Sequence, residues 1–369
     1  MTSRQSDAGF GYTRLRSITV GSGAAELVWD VLAGMKCTEG ESVSCHIDAV
    51  FDRTVHLLLS VPNRSGSSFL LALGTRDIRE GPLMINFDTP PGFSFRRLVG
   101  GRNEAVTVQS LDQVESSRGL QFHFGKRGIL DVERKTVPTL PAAGGVYEHV
   151  PLGRFAAGSE CLSAHLHLID RFEAEGIEDG LNWFDTLYTY HGGSAAHELE
   201  AVAASVVNWI SEVSVNRNLK CSRYDRKDCQ AADSRLSVLD VIANFVGRGP
   251  GATPSGDDFL AGLLLPLQLV DNGAIAQQTS KLSRRITTLA VDESTTVSAA
   301  LLAQVTRGRA AQPVMNCLKT LLTSKHNTEA MYRDAVALTK IGHTSGSDTL
   351  AGILTATTVV LPLLAAQHQ

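Results

Sequence analysis

The chain has 369 residues, of which 43% are hydrophobic and 20% are charged, and its formal net charge at pH 7 is −4. This length exceeds that of a usual single domain, and the composition is ordinary for a soluble globular protein. The small negative charge, with no basic tail or arginine-rich block, argues against nucleic acid as a partner. The polar N-terminus, 1–13, lacks the apolar region of a signal peptide. The six cysteines show neither zinc-ligand spacing nor a disulfide framework, so we expect a reduced, cytoplasmic protein without a structural metal.

The first part of the chain, from about residue 17 to 147, is typical of β structure. Short runs of β-branched and aliphatic residues alternate there with Gly, Pro and Asn. The predicted strands are 43–50, 54–61, 69–73, 83–87, 105–108 and 120–124, and 24–33 is predicted as a short helix. Strands at this spacing predict a mostly antiparallel sheet or a small barrel.

From about residue 152 onward, the periodicity of apolar residues predicts helices. The predicted helices are 163–175, 195–213, 237–246, 258–270, 274–288, 294–306, 313–323, 328–340 and 347–366. The polar stretch 216–234 is predicted as a surface loop. The most apolar stretches, 259–270 and 350–366, carry Pro, Thr or Gln, so we interpret them as buried helices rather than membrane spans. The expected fold class is α+β, with a β-rich domain over 1–150 followed by an α-helical domain over 151–369.

One motif, Ser-Gly-x-Asp-x-Leu-Ala-Gly, occurs twice, starting at Ser255 and again ninety positions later at Ser345. Each copy predicts a tight turn leading into a buried helix, because Ser and Asp suit an N-cap and a first helical turn. If the two helix starts meet, their unpaired backbone N–H groups and positive dipole ends predict an anion site. The alternative is that both copies are only well-capped core helices.

Three further features favour a ligand site. The loop 247–252 before the first copy is richer in glycine than a cap requires, and glycine permits positive φ or a close approach to a ligand. The acidic pair Asp257 and Asp258 could orient a nucleophile, hold a cation or act as a base. His343, just before the second copy, could transfer a proton near neutral pH. The candidate catalytic residues are therefore His343, Asp258 and Asp257.

A hydroxyl-rich helix start at 294–298 would add donors to the same site, although a capping segment is the alternative interpretation. Arg307 and Arg309 follow as candidate counter-charges. The candidate phosphate- and substrate-binding residues are Gly249, Gly251, Thr253, Ser255, Gly256, Thr295, Thr296, Ser298, Thr344, Ser345, Gly346 and Asp348.

Segments 71–74 with 81–85, 247–262 and 342–352 together resemble one bacterial family, and 295–298 also fits its pattern. The sequence is similar to the AllH-like family, linked to oxamate carbamoyltransferase, over about residues 20 to 360. The resemblance implies a carbamoyltransferase subunit of anaerobic allantoin and purine breakdown that acts with other subunits. The implied reaction converts oxalurate and phosphate to oxamate and carbamoyl phosphate. The resemblance carries no residue-level roles, so the site residues above are our own inference.

The chemistry leaves several alternatives open. Paired helix starts could hold phosphate and stabilise an oxyanion, and His343 could supply or remove the proton. Asp257 and Asp258 fit less well, because carboxylates repel phosphate. They could instead orient amides or a basic side chain, bind Mg²⁺ as the one cofactor considered, or hold an amide nitrogen. Two other hypotheses are a non-catalytic ligand-binding or scaffolding subunit, and a free-standing hydrolase that uses the two aspartates and a metal.

Overall fold

The computed structural model describes residues 13–34, 43–60, 68–78, 81–99, 106–111, 119–133, 150–176, 197–216, 238–270, 272–323 and 327–367. The chain divides into two compact units, Met1–Pro141 and Ala142–Gln369. The first is a closed barrel of eight strands and the second is helical, which confirms the predicted α+β class. All but the first residue of the predicted loop 216–234 lies outside the described residues.

The barrel strands are β1 (Thr13–Val20), β2 (Ser44–Val50), β3 (Thr54–Ser60), β4 (Ser68–Thr75), β5 (Met84–Phe87), β6 (Val106–Leu111), β7 (Gly119–Phe124) and β8 (Gly128–Glu133). They close in the order β1-β5-β4-β3-β2-β6-β7-β8. The β1–β8 and β4–β5 pairs are parallel and the other neighbours are antiparallel. Alternate side chains fill the interior, as in β3, where Val55, Leu57 and Leu59 are buried, because successive residues of a strand point to opposite faces.

Two of these strands, β1 and β8, were not among the predicted strands. In β1 the exposed Arg14 alternates with the buried Leu15, and this mixture of charged and apolar residues masks the strand pattern. Arg14 Nε donates to Asp131 Oδ2 of β8 at 2.5 Å, and the pairing of β1 with β8 closes the barrel. Helix α1 (Ser22–Gly34) agrees with the predicted helix 24–33, whereas the short α2 (Phe95–Leu98) was also not predicted.

The second unit begins with a bridge between Val150 and Val270 and a 3₁₀ turn, Leu152–Phe155. Its helices are α3 (Glu160–Ala174), α4 (His197–Asn216), α5 (Val238–Ala243), α6 (Ser255–Leu269), α7 (Gly273–Glu293), α8 (Thr296–Val305), α9 (Gln312–Thr323), α10 (Thr328–Thr339), α11 (Ser345–Thr355) and α12 (Leu361–Gln367). Each of the nine predicted helices has a counterpart here, with bounds that differ by a few residues.

Helices α11 and α12 form one continuous segment through a π-helical turn, Ala356–Val360. Pro362, just beyond it, has no N–H to donate to the carbonyl four residues earlier, which favours a local change of helix type. By length and composition Ser345–Gln367 could cross a membrane, but 83% of its most apolar window is buried inside the protein. That burial agrees with the predicted core helix.

Candidate functional site

Helices α6 and α11, which carry the two motif copies, pack directly against each other through glycines. A Cβ added at Gly262 would meet the carbonyl oxygen of Thr349 at 2.0 Å, and one at Gly352 would meet that of Phe259 at 2.1 Å. Gly262 matches Gly352 in the repeat, and Phe259 matches Thr349. The contact is therefore reciprocal, and the two helices run in the same direction from adjacent starting points.

The two helix starts are joined by side-chain hydrogen bonds. Thr253 Oγ1 and Ser345 Oγ lie 2.8 Å apart, and both hydroxyls also hydrogen-bond with the carboxyl group of Asp258. The structure thus brings together residues from both copies, as the repeat predicts. Both positive dipole ends are directed to the same place.

The backbone at these starts differs from the prediction in two respects. Pro254 and Thr344 are the N-cap residues, neither makes a side-chain cap hydrogen bond, and the motif serines are the first helical residues. The N–H of Gly256 donates to the carbonyl of Arg248 at 2.9 Å, and the N–H of Gly346 donates to that of Ile341 at 3.1 Å. At these two glycines the donors expected to be unpaired are therefore satisfied by the preceding loops.

The glycine-rich loop needs glycine for both conformation and space. Gly247, Gly249 and Gly251 have φ of 71°, 110° and 100°, which agrees with the expectation that at least one of Gly249 and Gly251 has positive φ or closely approaches a ligand. A Cβ at Gly249 would meet the backbone nitrogen of Ser255 at 2.9 Å, whereas at Gly251 it would meet nothing within 4 Å. Gly249 is thus required for packing against α6, and Gly251 lies on an open side of the loop.

Asp257 ties this loop to the junction between α7 and α8. The residue is buried, and its carboxyl accepts hydrogen bonds from the Gly247 N–H at 2.9 Å, from Ser298 Oγ at 2.6 Å and from Ser294 Oγ. Three donors satisfy this carboxyl within the protein. Of the roles considered for Asp257, the contacts fit the orientation of backbone amides.

The hydroxyl-rich segment before α8 acts as a cap. Thr295 is the N-cap residue and accepts from the Ser298 N–H at 3.0 Å. Its hydroxyl also donates to the carbonyl of Ala252 in the glycine-rich loop. The segment therefore holds that loop in place, while Thr296 is exposed.

Asp258 is in a different environment from its neighbour Asp257. Its Oδ2 atom is buried and has no hydrogen-bond partner among the described residues. Burial raises the pKa of the Asp258 carboxyl well above its ordinary value of 3.8, the Ser345 and Thr253 hydroxyls oppose this shift, and the charges of Asp348 and Asp257 add to it. The carboxyl of Asp258 therefore keeps its proton to a higher pH than an ordinary aspartic acid.

Asp348 is fully buried and is the equivalent of Asp258 in the second copy. Both aspartates were candidates from the sequence, and their matching place in the repeat is the signal that pairs them. Among the described residues, no group of three or more His, Cys, Asp or Glu is arranged to hold a metal ion.

The other candidates lie in less enclosed positions. His343 is exposed on the turn between α10 and α11, next to Gly342, whose φ is 62°. Arg307 is exposed and Arg309 is half-buried, beyond the end of α8. The proton-transfer role of His343 stays a prediction, and its surroundings differ sharply from those of Asp258.

A family model described as oxamate carbamoyltransferase subunit AllH matches residues 245–357. The match covers the glycine-rich loop, both motif copies and the capping segment before α8. Over these residues it confirms the predicted resemblance to the AllH-like family, which was expected to extend from about residue 20 to 360. No solved structure matches this chain.

Proposed function

We propose that this chain supplies the carbamoyl-binding site of an oxamate carbamoyltransferase, and that this enzyme converts oxalurate and phosphate to oxamate and carbamoyl phosphate. The description of the matching family supports one part of this proposal, that the chain is a subunit of an oxamate carbamoyltransferase. The assignment of the carbamoyl-binding site and of this reaction is supported by the buried Asp258 Oδ2 atom, which has no hydrogen-bond partner in the described part of the chain and lies beside two adjacent helix starts.

A carboxyl oxygen in this position favours a ligand with polar groups, an N–H group where the oxygen accepts and a carbonyl or phosphate oxygen where it carries the proton. A buried polar atom without a partner costs about 1–3 kcal/mol, which a ligand donor can recover. Oxalurate offers urea and amide N–H groups at one end and a carboxylate at the other. The N–H groups suit Asp258, and the carboxylate or phosphate suits the positive ends of α6 and α11.

The proposed reaction also fits a carboxyl that stays protonated. A phosphate oxygen bonds to the carbamoyl carbon, the bond from that carbon to the oxamate nitrogen breaks, and the nitrogen gains the proton that the phosphate hydroxyl loses. The reaction balances without an oxidant or a reductant, so we propose no redox cofactor. The raised pKa of the Asp258 carboxyl lessens its repulsion of phosphate, which weakens the main objection to an aspartate at this site.

A second function, that of a ligand-binding subunit without catalytic groups, is favoured by other observations. The Gly256 and Gly346 N–H groups are engaged by protein carbonyls, and His343 is exposed. In that case a partner subunit supplies the reacting groups. For either function we propose a cytoplasmic location, small anionic substrates and other subunits as partners, within anaerobic purine catabolism.

The test is reconstitution of the chain with the partner subunits encoded by neighbouring genes. Carbamoyl phosphate would be measured from oxalurate and phosphate, with the chain alone, with the partners alone and with the assembled enzyme. Oxalurate binding to the chain alone would be measured by calorimetry. Absence of both binding and turnover would refute the proposal.

Two variants separate the catalytic from the ligand-binding function. We expect Asp258→Asn, which keeps the shape and removes the acid, to lower turnover about 100-fold, the effect of one general acid–base group. His343→Ala should do the same if His343 transfers a proton. Asp170→Asn, at an exposed position of α3, is the control and should leave turnover unchanged. Near-normal turnover of both variants in the assembled enzyme would assign the chemistry to another subunit.

A further inference from the structure

We propose that Asp258 and Asp348 act as one acid, which holds a single proton between two carboxyl groups at neutral pH and delivers it to the departing oxamate nitrogen. The sharing of the proton stands on the geometry of this chain. Its delivery rests on the proposed function.

The helix geometry brings the two carboxyl groups to the contact between α6 and α11. Gly262 lies one turn after Asp258, and Gly352 lies one turn after Asp348. Residues four apart share one face of a helix, and the two glycines lie on the face where the helices touch. Both aspartates therefore lie on the contact face, at equivalent positions near the helix starts.

The surroundings of Asp258 are poor in compensating charge. The groups that act on Asp258 are Asp348 on the facing helix, Asp257 on its own helix, and the hydroxyls of Ser345 and Thr253. No cation is among them. Two buried carboxylates at one site repel each other, so one proton is retained and the pair titrates in two steps.

The carboxyl of Asp131 in the barrel shows the contrasting case. Asp131 is buried like Asp348, but Arg14 Nε donates to its carboxyl at 2.5 Å and Gln121 Nε2 donates to it at 2.7 Å. A cation and an amide donor there stabilise the carboxylate. Burial alone therefore does not distinguish Asp258 and Asp348 from Asp131. The difference is that each of the two lies beside a second carboxyl group.

The proposed step balances in atoms and charge. As the carbamoyl carbon leaves nitrogen for phosphate oxygen, the pair gives its proton to that nitrogen and becomes doubly negative. The phosphate hydroxyl then returns a proton, and the pair regains its single negative charge. The positive ends of α6 and α11 stabilise the doubly negative state while it lasts.

Infrared spectroscopy of the full chain tests the shared proton without any activity. At pH 7 the wild type should show the C=O stretching band of a protonated carboxyl group. Asp131→Asn should keep this band, and the double variant Asp258→Asn with Asp348→Asn should lack it. The absence of the band from the wild type, or its persistence in the double variant, would overturn the proposal.

Single variants test whether the two carboxyl groups interact. In Asp258→Asn and in Asp348→Asn the remaining carboxyl should lose its band at lower pH than the wild type does, because the repulsion is gone. Asparagine is close in shape to the neutral acid, so these variants should fold, and circular dichroism checks this. If the double variant does not fold, the infrared midpoints of the single variants decide whether the two carboxyl groups share a proton. Midpoints equal to that of the wild type would disprove sharing.

The assembled enzyme tests delivery of the proton. Turnover should fall about 100-fold in each single variant, and wild-type turnover should decline as pH rises through the infrared midpoint. A turnover profile unrelated to that midpoint would refute delivery and leave sharing intact. An assembled enzyme that shows no turnover of oxalurate would overturn the proposed function and delivery together, with the infrared result unaffected.

Discussion

Replacing Gly262 or Gly352 by alanine should push α6 and α11 apart. The added Cβ would lie 2.0 Å from the Thr349 carbonyl oxygen in the first variant and 2.1 Å from that of Phe259 in the second. Neither neighbour is a flexible side chain, so backbone must move, and reaching even 3.0 Å requires a shift of about 1 Å. A shift of that size would break the 2.8 Å hydrogen bond between Thr253 and Ser345.

The expected cost follows from two opposing effects. Overpacking in a close-packed core costs about 1–3 kcal/mol and sometimes more, and a clash with backbone belongs at the upper end. The higher helix propensity of alanine returns about 1 kcal/mol. We therefore expect each variant to lose about 2 kcal/mol or more of its free energy of unfolding.

Urea denaturation followed by circular dichroism gives this quantity, and Gly273→Ala is the control. Gly273 is the first residue of α7, and a Cβ there would meet nothing within 4 Å. The control should stay within about 0.5 kcal/mol of the wild type. If Gly262→Ala and Gly352→Ala were as stable as the control, the reciprocal glycine contact, and with it the paired helix starts, would be wrong.

The remaining predictions concern the aspartates and a buried histidine. Asp257→Asn should lower the free energy of unfolding by about 1.5–3 kcal/mol in urea denaturation, because charge-assisted hydrogen bonds to a buried carboxyl are lost. Ser298→Ala should lower the free energy of unfolding by less. Equal stability of Asp257→Asn and wild type would contradict this prediction. The pKa of Asp258 is raised in the folded state, so its contribution to stability is present below the unfolded value of 3.8 and is lost as pH rises through the folded pKa. The free energy of unfolding should fall there with a slope of up to about 1.4 kcal/mol per pH unit. Asp258→Asn should abolish this slope. His165 is buried, its Nε2–H donates to the Leu321 carbonyl at 3.0 Å, and burial lowers its pKa from 6.5 to about 4. Its contribution is present above pH 6.5 and is lost as pH falls to about 4, by about 3 kcal/mol in total. Since the two slopes oppose each other, His165→Gln should expose the Asp258 slope. An unchanged pH profile in His165→Gln would refute the assignment to His165, and an unchanged profile in Asp258→Asn would refute the assignment to Asp258.

Helices with a clear apolar period were the most predictable part of the fold. The strands β1 and β8 were not predicted, because charged residues interrupt their apolar pattern, the exposed Arg14 in β1 and the buried Asp131 in β8. Their pairing also joins segments more than a hundred residues apart, and no local pattern reports such a contact.

For the site, the repeat was sufficient to predict that Ser255 and Ser345 begin neighbouring helices. It could not show that the Gly256 and Gly346 N–H groups are already satisfied, because their acceptors depend on how the preceding loops fold back. Similarly, Asp257 and Asp258 are neighbours in the sequence, so both were equally good catalytic candidates. Only the folded structure separates a carboxyl with three donors from one that keeps its proton.

The reciprocal glycine contact also bears on how an asymmetric substrate is recognised. The repeat offset recurs in the preceding helices, since α5 begins at Val238 and α10 begins at Thr328. Duplication of one helix–loop–helix module about an approximate twofold axis would give this arrangement. Symmetry alone would present two identical half-sites, yet oxalurate has different ends. Among the substitutions that break the symmetry are His343 in place of Thr253 and Ser347 in place of Asp257. If oxalurate is the substrate, as proposed, these two positions would determine its orientation.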